Sequence, residues 1–201
     1  MTHIKSALEI ALERTEGVTG DREKLAEDKM VKEGKRIASS FLSISEDTTE
    51  TDIKEKLKAY GGKELKWVKE GVYQTLVANI VLPLDENYRE KLNVISRGLP
   101  EIVPDKKRLS MIFDQLTKFF DQYLENKKAV RTQLEQQFAP RLRQREAQLA
   151  KQMGQNVRLN PMQDPEFANA LQRNLGSLEE RYQTALADLK NELRRMFEQS
   201  R

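Results

Sequence analysis

Between two prolines, Pro104 and Pro140, the chain reads DKKRLSMIFDQLTKFFDQYLENKKAVRTQLEQQFA over residues 105–139. Apolar side chains recur in this stretch every three or four residues, which is the spacing of one face of an α-helix. No glycine interrupts it, and Asp105 is suited to cap its first turn. At 1.5 Å per residue the predicted helix is about 50 Å long. A compact chain of this size has a diameter of roughly 43 Å, so we expect the helix to project beyond a compact body.

The same helix is predicted to continue past Pro140 as far as Met153. Proline has no N–H to offer to the helix, and its ring clashes with the preceding turn. Because polar residues with good helix propensity follow at once, we predict a kink at Pro140 rather than the end of the helix.

A second long helix is predicted from Asp164 to the end of the sequence. Asp164 suits the N-cap, Pro165 the first helical position, and Glu166 the positive end of the helix dipole. The apolar seam of this helix shifts along its length, which favours packing against more than one neighbour over a two-stranded zipper. We interpret it as an interaction seam formed by Leu171, Leu175, Leu178, Tyr182, Leu186, Leu189, Leu193 and Phe197.

Together the two helices predict an antiparallel, coiled-coil-like hairpin over residues 104–201. Its base is expected to pack on a small N-terminal helical body, residues 1–103. Apolar spacing predicts about five helices in that body. Gly17 and Gly20 are expected to end the first helix near Thr15, and the others cover roughly residues 21–41, 52–60, 65–82 and 88–97. The predicted fold class is all-α.

One segment of the N-terminal body has an alternative interpretation. Residues 72–82 are rich in β-branched side chains, which would suit a strand. However, Gln74, Thr75 and Asn79 break the alternation that a half-buried strand requires. A helix stopped by Pro83 is therefore the favoured prediction.

The composition limits the classes of function. The 201 residues carry a formal net charge of +3 and contain no cysteine. So small a charge does not by itself indicate a nucleic-acid partner, and the lack of cysteine excludes disulfides and thiolate metal sites. The most apolar segment, residues 72–84, is shorter than the roughly 20 residues that a membrane helix needs. We expect a cytoplasmic protein with no membrane span.

No pattern in the sequence matches a known kind of chemical site. His3 is the only histidine, which excludes a histidine-rich metal site. It lies in a terminal segment that is expected to fray, which argues against a Ser-His-Asp triad. The acidic segment 46–52 lacks the central glycine of an EF-hand loop, and the glycines of segments 17–21 and 61–63 do not match a phosphate-binding loop. We expect no catalytic residue, metal or cofactor. An enzyme whose site is assembled only in space is a third hypothesis.

Positive charge is concentrated between residues 127 and 145, where six cations face one acid, Glu135. They form either a site for nucleic acid or an acidic partner, or a face that is solvated or whose cations pair within the hairpin, with Glu179, Glu180 and Asp188 as candidate partners. The second interpretation is favoured, because the side chains spread around the helix and Phe138 is the one aromatic among them. This basic cluster comprises Lys127, Lys128, Arg131, Arg141, Arg143 and Arg145.

These observations predict a non-enzymatic structural or interaction protein. We expect it to form homo-oligomers, or to dock on a larger assembly, through the C-terminal hairpin. The alternative is a nucleic-acid-associated helical protein that uses the basic cluster.

Overall fold

The computed structural model of the chain describes residues 7–43, 52–155 and 158–200, with side chains from Arg22 onward. These residues form six α-helices and no strand, so the predicted all-α fold class is confirmed. Short 3-10 helices lie at Leu99–Glu101 and Pro161–Gln163. The α-helices are α1 (Ala7–Leu42), α2 (Ile53–Leu57), α3 (Gly62–Ala78), α4 (Tyr88–Gly98), α5 (Lys106–Met153) and α6 (Pro165–Glu198).

The first helix, α1, is continuous over 36 residues. The predicted break at Gly17 and Gly20 is therefore wrong. A glycine inside a helix costs about 1 kcal/mol relative to alanine. Unlike proline, however, it keeps its N–H and does not clash with the preceding turn. The helix consequently runs through both glycines.

The third helix, α3, confirms the helix prediction for this segment but ends earlier than expected, at Ala78. Asn79 closes it with two hydrogen bonds to carbonyls of the last turn. The backbone N–H of Asn79 donates to Leu76 O at 3.2 Å, and its side-chain amide donates to Thr75 O at 2.8 Å. Because these bonds satisfy carbonyls that a helix end leaves open, the helix stops before Pro83.

Aspartates cap three of the helices, and two of these caps, Asp105 and Asp164, are predicted from the sequence. Asp52 accepts a hydrogen bond from Lys54 N at 3.0 Å at the start of α2. Asp105 accepts from Arg108 N at 3.0 Å at the start of α5. Asp164 accepts from Glu166 N at 2.9 Å at the start of α6. Each carboxylate satisfies a backbone donor of the first turn that has no partner within the helix.

The long helix α5 passes through Pro140 without ending, as predicted. Its 48 residues correspond to a length of about 72 Å. Pro140 is exposed, and so is Gln136, whose carbonyl loses its helical partner at the proline. Water can therefore bond that carbonyl. None of the helices in the described residues is both long enough and apolar enough to cross a bilayer.

The chain divides into two compact units. Unit 1 comprises Met1–Ile80, Asn93–Leu109 and Arg194–Arg201, and unit 2 comprises Val81–Leu92 and Ser110–Leu193. This division differs from the predicted one into residues 1–103 and 104–201. The difference arises because compactness depends on which segments meet in space, and residues 81–92 and 194–201 each group with segments that are distant in sequence.

Unit 1 is built on close packing of α1 against α3. A side-chain carbon placed on Gly34 would lie 2.0 Å from Val68 O, and one placed on Gly71 would lie 2.1 Å from Val31 O. The two backbones therefore touch directly at this crossing. Around it the core is formed by buried aliphatic side chains, including Ile37, Ala38, Val68, Val72 and Leu76.

Unit 2 contains the hairpin of α5 and α6. The ring of Phe138 contacts that of Phe167 with centroids 5.5 Å apart, and Tyr123 contacts Tyr182 at 5.0 Å. From the first pair to the second, α5 runs back 15 residues while α6 runs forward 15. The two helices are therefore antiparallel and in constant register. Leu134 and Leu171 join Phe167 in a buried cluster between them.

Candidate functional site

A groove of about 570 Å³ lies in unit 2 beside the hairpin. One side is formed by residues 84–87, the segment that precedes α4. The other side and the floor are formed by the two hairpin helices. The lining residues are Leu84, Asp85, Glu86 and Asn87 from the segment, Leu124, Lys127, Lys128 and Arg131 from α5, and Leu171 and Leu175 from α6.

The groove has an apolar floor and one exposed apolar side chain. Leu124 and Leu171 are 7% and 6% exposed, and Leu175 is half-buried. Leu84, in contrast, is 88% exposed. An apolar side chain this exposed gains nothing from the hydrophobic effect within its own chain. It is therefore available to an occupant of the groove.

The segment carrying Leu84 is held in place by the residue that begins α4. The Tyr88 hydroxyl donates to Asp121 Oδ1 at 2.7 Å, and its ring packs edge-on against Phe120 with centroids 5.2 Å apart. Burial and this hydrogen bond raise the pKa of Tyr88 to about 12. Asp85 accepts from Asn87 N at 3.0 Å, which forms a tight turn directly after Leu84. The groove is thus preformed.

The α5 side of the groove carries three cations within five residues and no acid. The Lys127 ammonium lies 5.3 Å from the centre of the Tyr123 ring. Lys128 pairs with Glu86 at 3.1 Å, and its side chain is 72% exposed. Arg131 lies 3.6 Å from Glu135 on the next turn of α5. Exposed pairs of this kind contribute about 0–1 kcal/mol each, so the cations remain accessible to another carboxylate.

The predicted interaction seam of α6 is largely covered within the chain. Leu171, Leu178, Leu186, Leu193 and Phe197 are buried, and Leu175, Tyr182 and Leu189 are half-buried. The seam therefore stabilises the chain's own fold rather than forming an exposed strip. Leu171 and Leu175 are the two seam residues that also line the groove.

The other half of the basic cluster pairs with the first residues of α6. The Arg141 Nη1 donates to Glu166, and Arg145 Nη1 donates to Asp164 Oδ2 at 2.9 Å. Arg143 is exposed on the same helix. A solvated or ion-paired face was the favoured interpretation, but the candidate partners Glu179, Glu180 and Asp188 are replaced by Asp164 and Glu166. In an antiparallel hairpin, residues just before the turn face residues just after it, and the more distant acids lie further along.

Asp164 is the most heavily bonded carboxylate of the hairpin. Its burial by itself raises its pKa, but hydrogen bonds from the backbone N–H groups of Phe167 and Glu166, together with Arg141 and Arg145, outweigh that effect. The pKa of Asp164 consequently lies below its ordinary value. The hydrogen bond from Arg141 likewise lowers the pKa of Glu166. Both acids are therefore ionised at neutral pH and hold the start of α6 on α5.

A second cavity of about 380 Å³ lies at the turn end of the hairpin. Its lining is mostly polar and includes the carboxamides of Gln148, Gln152 and Gln163. Its one ion pair, between Arg145 and Asp164, is already made within the chain. The cavity therefore offers hydrogen bonds but no charge for a ligand to neutralise.

Unit 1 contains a charged contact that was not predicted from the sequence. Arg194 Nη1 donates to Oε1 of Glu70, whose residue is 7% exposed, and Gln74 Nε2 donates to the same oxygen at 2.9 Å. The Arg194 guanidinium also lies 5.4 Å from the centre of the Tyr73 ring, which stacks on Phe197. A glutamate within an apolar helical stretch is the sequence signal that could have revealed it.

The expectation of no metal site concerns some residues that lie outside the described part of the chain. Among the described residues no three or more histidine, cysteine or acidic side chains come together as a metal site. His3 lies outside the described residues, as does the acidic segment apart from Asp52. Gly61 and Gly62 lie at the start of α3, and Gly62 has a φ of +53°, which suits the turn between α2 and α3.

Comparison with known proteins identifies the family of the chain. Neither the curated proteins nor the solved structures include one that matches it. A family described as a family of unknown function (DUF6657) matches residues 54–195, which covers α3 to α5 and nearly all of α6. The chain therefore belongs to the DUF6657 family.

Proposed function

We propose that this protein is a non-enzymatic helical protein that binds another polypeptide through the groove of unit 2. The observation that carries the proposal is Leu84, which is 88% exposed on one side of a groove floored by leucines. The bound polypeptide is a second copy of the chain or a component of a larger assembly. The cysteine-free composition suits a reducing compartment, and the proposal places the protein in the cytoplasm.

The groove supports binding more than catalysis because of what lines it. Its ionisable side chains are three cations and two acids, and Glu86 is paired with Lys128. No nucleophile with an adjacent base is among them, as an acyl- or phosphoryl-transfer site would require. Leucines on three structural elements offer apolar contact of the kind that anchors a partner side chain in a pocket. We therefore propose recognition as the role of the groove.

Photo-crosslinking in cells tests this proposal. A photo-reactive phenylalanine derivative replaces Leu84 in one variant and Glu180, an exposed residue of α6 outside the groove, in the matched control. We expect a protein adduct from position 84 and none from position 180. An adduct of twice the chain mass indicates self-association, and any other protein mass indicates a partner from a larger assembly.

Three outcomes would overturn the proposal. The first is that a folded variant gives no adduct at position 84. The second is that positions 84 and 180 give the same adducts, because the groove would then have no preference. The third is that nuclease removes the adduct at position 84, which would favour the nucleic-acid alternative through Lys127, Lys128 and Arg131.

A further inference from the structure

We infer that the occupant of the groove is an acidic amphipathic helix, whose apolar face packs on the leucines and whose carboxylates bind Lys127 and Arg131. This inference rests on the proposed function and specifies its partner. It follows from three properties of the groove: the absence of a strand edge, the leucine floor, and the charge of its α5 side.

The mode of recognition follows from what the groove lacks. An extended peptide usually adds to the edge of a sheet, and the described part of the chain contains no strand. A proline-rich peptide needs aromatic side chains to pack on, and none of the described residues that line the groove is aromatic. A helix laid into an apolar groove needs neither. Leu84 on one side and the leucines of the floor match that third mode of recognition.

The spacing of the cations matches a helical partner. Lys127 and Arg131 are four residues apart on α5, so they lie one above the other and about 6 Å apart along the helix axis. Acidic residues four apart on a partner helix have the same spacing. Such a partner, lying along α5, places one carboxylate near each cation while its apolar face covers Leu84 and Leu175.

Lys127 and Arg131 can bind the carboxylates of a partner despite their present contacts. Lys127 has a cation–π contact with Tyr123, and Arg131 lies 3.6 Å from Glu135, with both side chains of that pair about half exposed. Contacts of this kind at the surface are weak and easily exchanged. Lys128 is also exposed but differs in one respect, because its carboxylate partner, Glu86, itself lines the groove. We therefore assign the charge recognition to Lys127 and Arg131.

A displayed peptide library tests the inference. The library consists of 16-residue helical peptides with leucines fixed at positions 3, 7, 10 and 14 and with Glu, Gln or Lys varied at the flanking positions. Selection uses the full-length protein, the variant Lys127→Glu with Arg131→Glu, and a matched control, Lys118→Glu with Arg143→Glu. The control reverses two exposed cations of α5 outside the groove and changes the net charge equally.

The wild-type protein and the control are expected to enrich glutamate at flanking positions four residues apart. The groove variant is expected to bind the selected peptides about tenfold more weakly. Equal enrichment of glutamate and lysine, equal loss of binding in the control, or no enrichment at all would overturn the inference. If position 84 still crosslinks to a protein in that case, the proposed function stands and only the acidic helix is excluded.

Discussion

Gly34 of α1 and Gly71 of α3 lie against each other where the two helices cross. A carbon atom added to Gly34 would come within 3.0 Å of the Gly71 Cα, and within 2.0 Å of Val68 O. An atom added to Gly71 would meet Val31 O and, at 2.9 Å, Lys35 N. The clashing atoms are backbone, which cannot rotate away as a side chain can. Both positions therefore require glycine for the helices to pack this closely.

Alanine at either crossing position is expected to destabilise the protein. Gly34→Ala and Gly71→Ala should each lower the free energy of unfolding by about 1–3 kcal/mol or more, because the helices must separate to admit the methyl group. The gain in helix propensity, about 1 kcal/mol, is too small to offset this. Chemical denaturation measures the change.

Gly176→Ala is the matched control for these substitutions. Gly176 lies inside α6, and nothing lies within 4 Å of a carbon added there. The same substitution should therefore raise the free energy of unfolding by up to about 1 kcal/mol. If Gly34→Ala or Gly71→Ala were also stabilising, the close crossing of α1 and α3 would be refuted.

Two tyrosines should make the protein sensitive to alkaline pH. Burial raises the pKa of Tyr73 to about 12, and the pKa of Tyr88 is raised to a similar value. A tyrosine that ionises near pH 10 when unfolded and near pH 12 when folded stabilises the fold fully below pH 10. That stability, about 2–3 kcal/mol for Tyr73, is lost as the pH rises from about 10 to about 12.

A spectroscopic titration of tyrosinate checks this prediction. While circular dichroism still shows native helix, Tyr73 and Tyr88 should ionise near pH 12. Tyr73→Phe and Tyr88→Phe should each remove one of them. Titration of Tyr73 and Tyr88 near pH 10 in the folded protein would contradict the prediction.

Acid should weaken the start of α6 through Asp164. The pKa of this carboxylate is lowered in the folded protein. The stability that it contributes is therefore present above its unfolded pKa of about 3.8 and is lost as the pH falls through the lower folded value. Asp164→Asn keeps a capping side chain but has no charge to lose. Its unfolding midpoint should thus depend less on pH below about 4 than that of the wild type.

Asp164→Ala separates the cap from the charge. At neutral pH this variant should be less stable than Asp164→Asn, because alanine leaves the N–H groups of Glu166 and Phe167 without the side-chain acceptor. Thermal unfolding of the three proteins between pH 3 and pH 7 provides the comparison. If the unfolding midpoints of wild type and Asp164→Asn changed with pH in the same way, the charge of Asp164 would not contribute to stability.

Removing Arg194 should lower the stability of the protein because its partner, Glu70, is buried. Arg194→Met leaves the Glu70 carboxylate without the guanidinium, and we expect a loss of about 1–3 kcal/mol in the free energy of unfolding. Arg194 is itself 37% exposed, which keeps the loss below that of a fully buried pair. Adding Glu70→Leu should recover part of it, since no buried charge remains. A double variant less stable than Arg194→Met would contradict this account.

Two leucines of the groove should differ in their effect on stability. Leu84→Ser is expected to change the free energy of unfolding by less than about 0.5 kcal/mol, because the side chain is exposed. Leu171→Ala should cost about 2–5 kcal/mol, because that side chain is in the buried cluster of the hairpin. Denaturant unfolding tests both. A similar cost for the two would mean that Leu84 packs within the chain.

What could be predicted from the sequence is local. The caps at Asp105 and Asp164 and the helical spacing of α5 and α6 depend on residues within about four positions of each other, so their physics can be read in order along the chain. The passage of α5 through Pro140 belongs here too. The wrong prediction of a helix break at Gly17 and Gly20 also concerns local effects. The low helix propensity of the two glycines was outweighed by the good helix formers around them.

The tertiary structure alone decided which distant residues meet. Gly34 and Gly71 look like ordinary glycines in sequence, and their role depends on two helices reaching the same point. Several acids of α6 were candidate partners of Arg141 in the sequence. The register set by the contact of Phe138 with Phe167 determined that Arg141 binds Glu166. Leu84 fits no helical spacing, and its exposure beside the groove follows from the anchoring of Tyr88. Such contacts depend on packing across tens of residues, which local propensity does not encode.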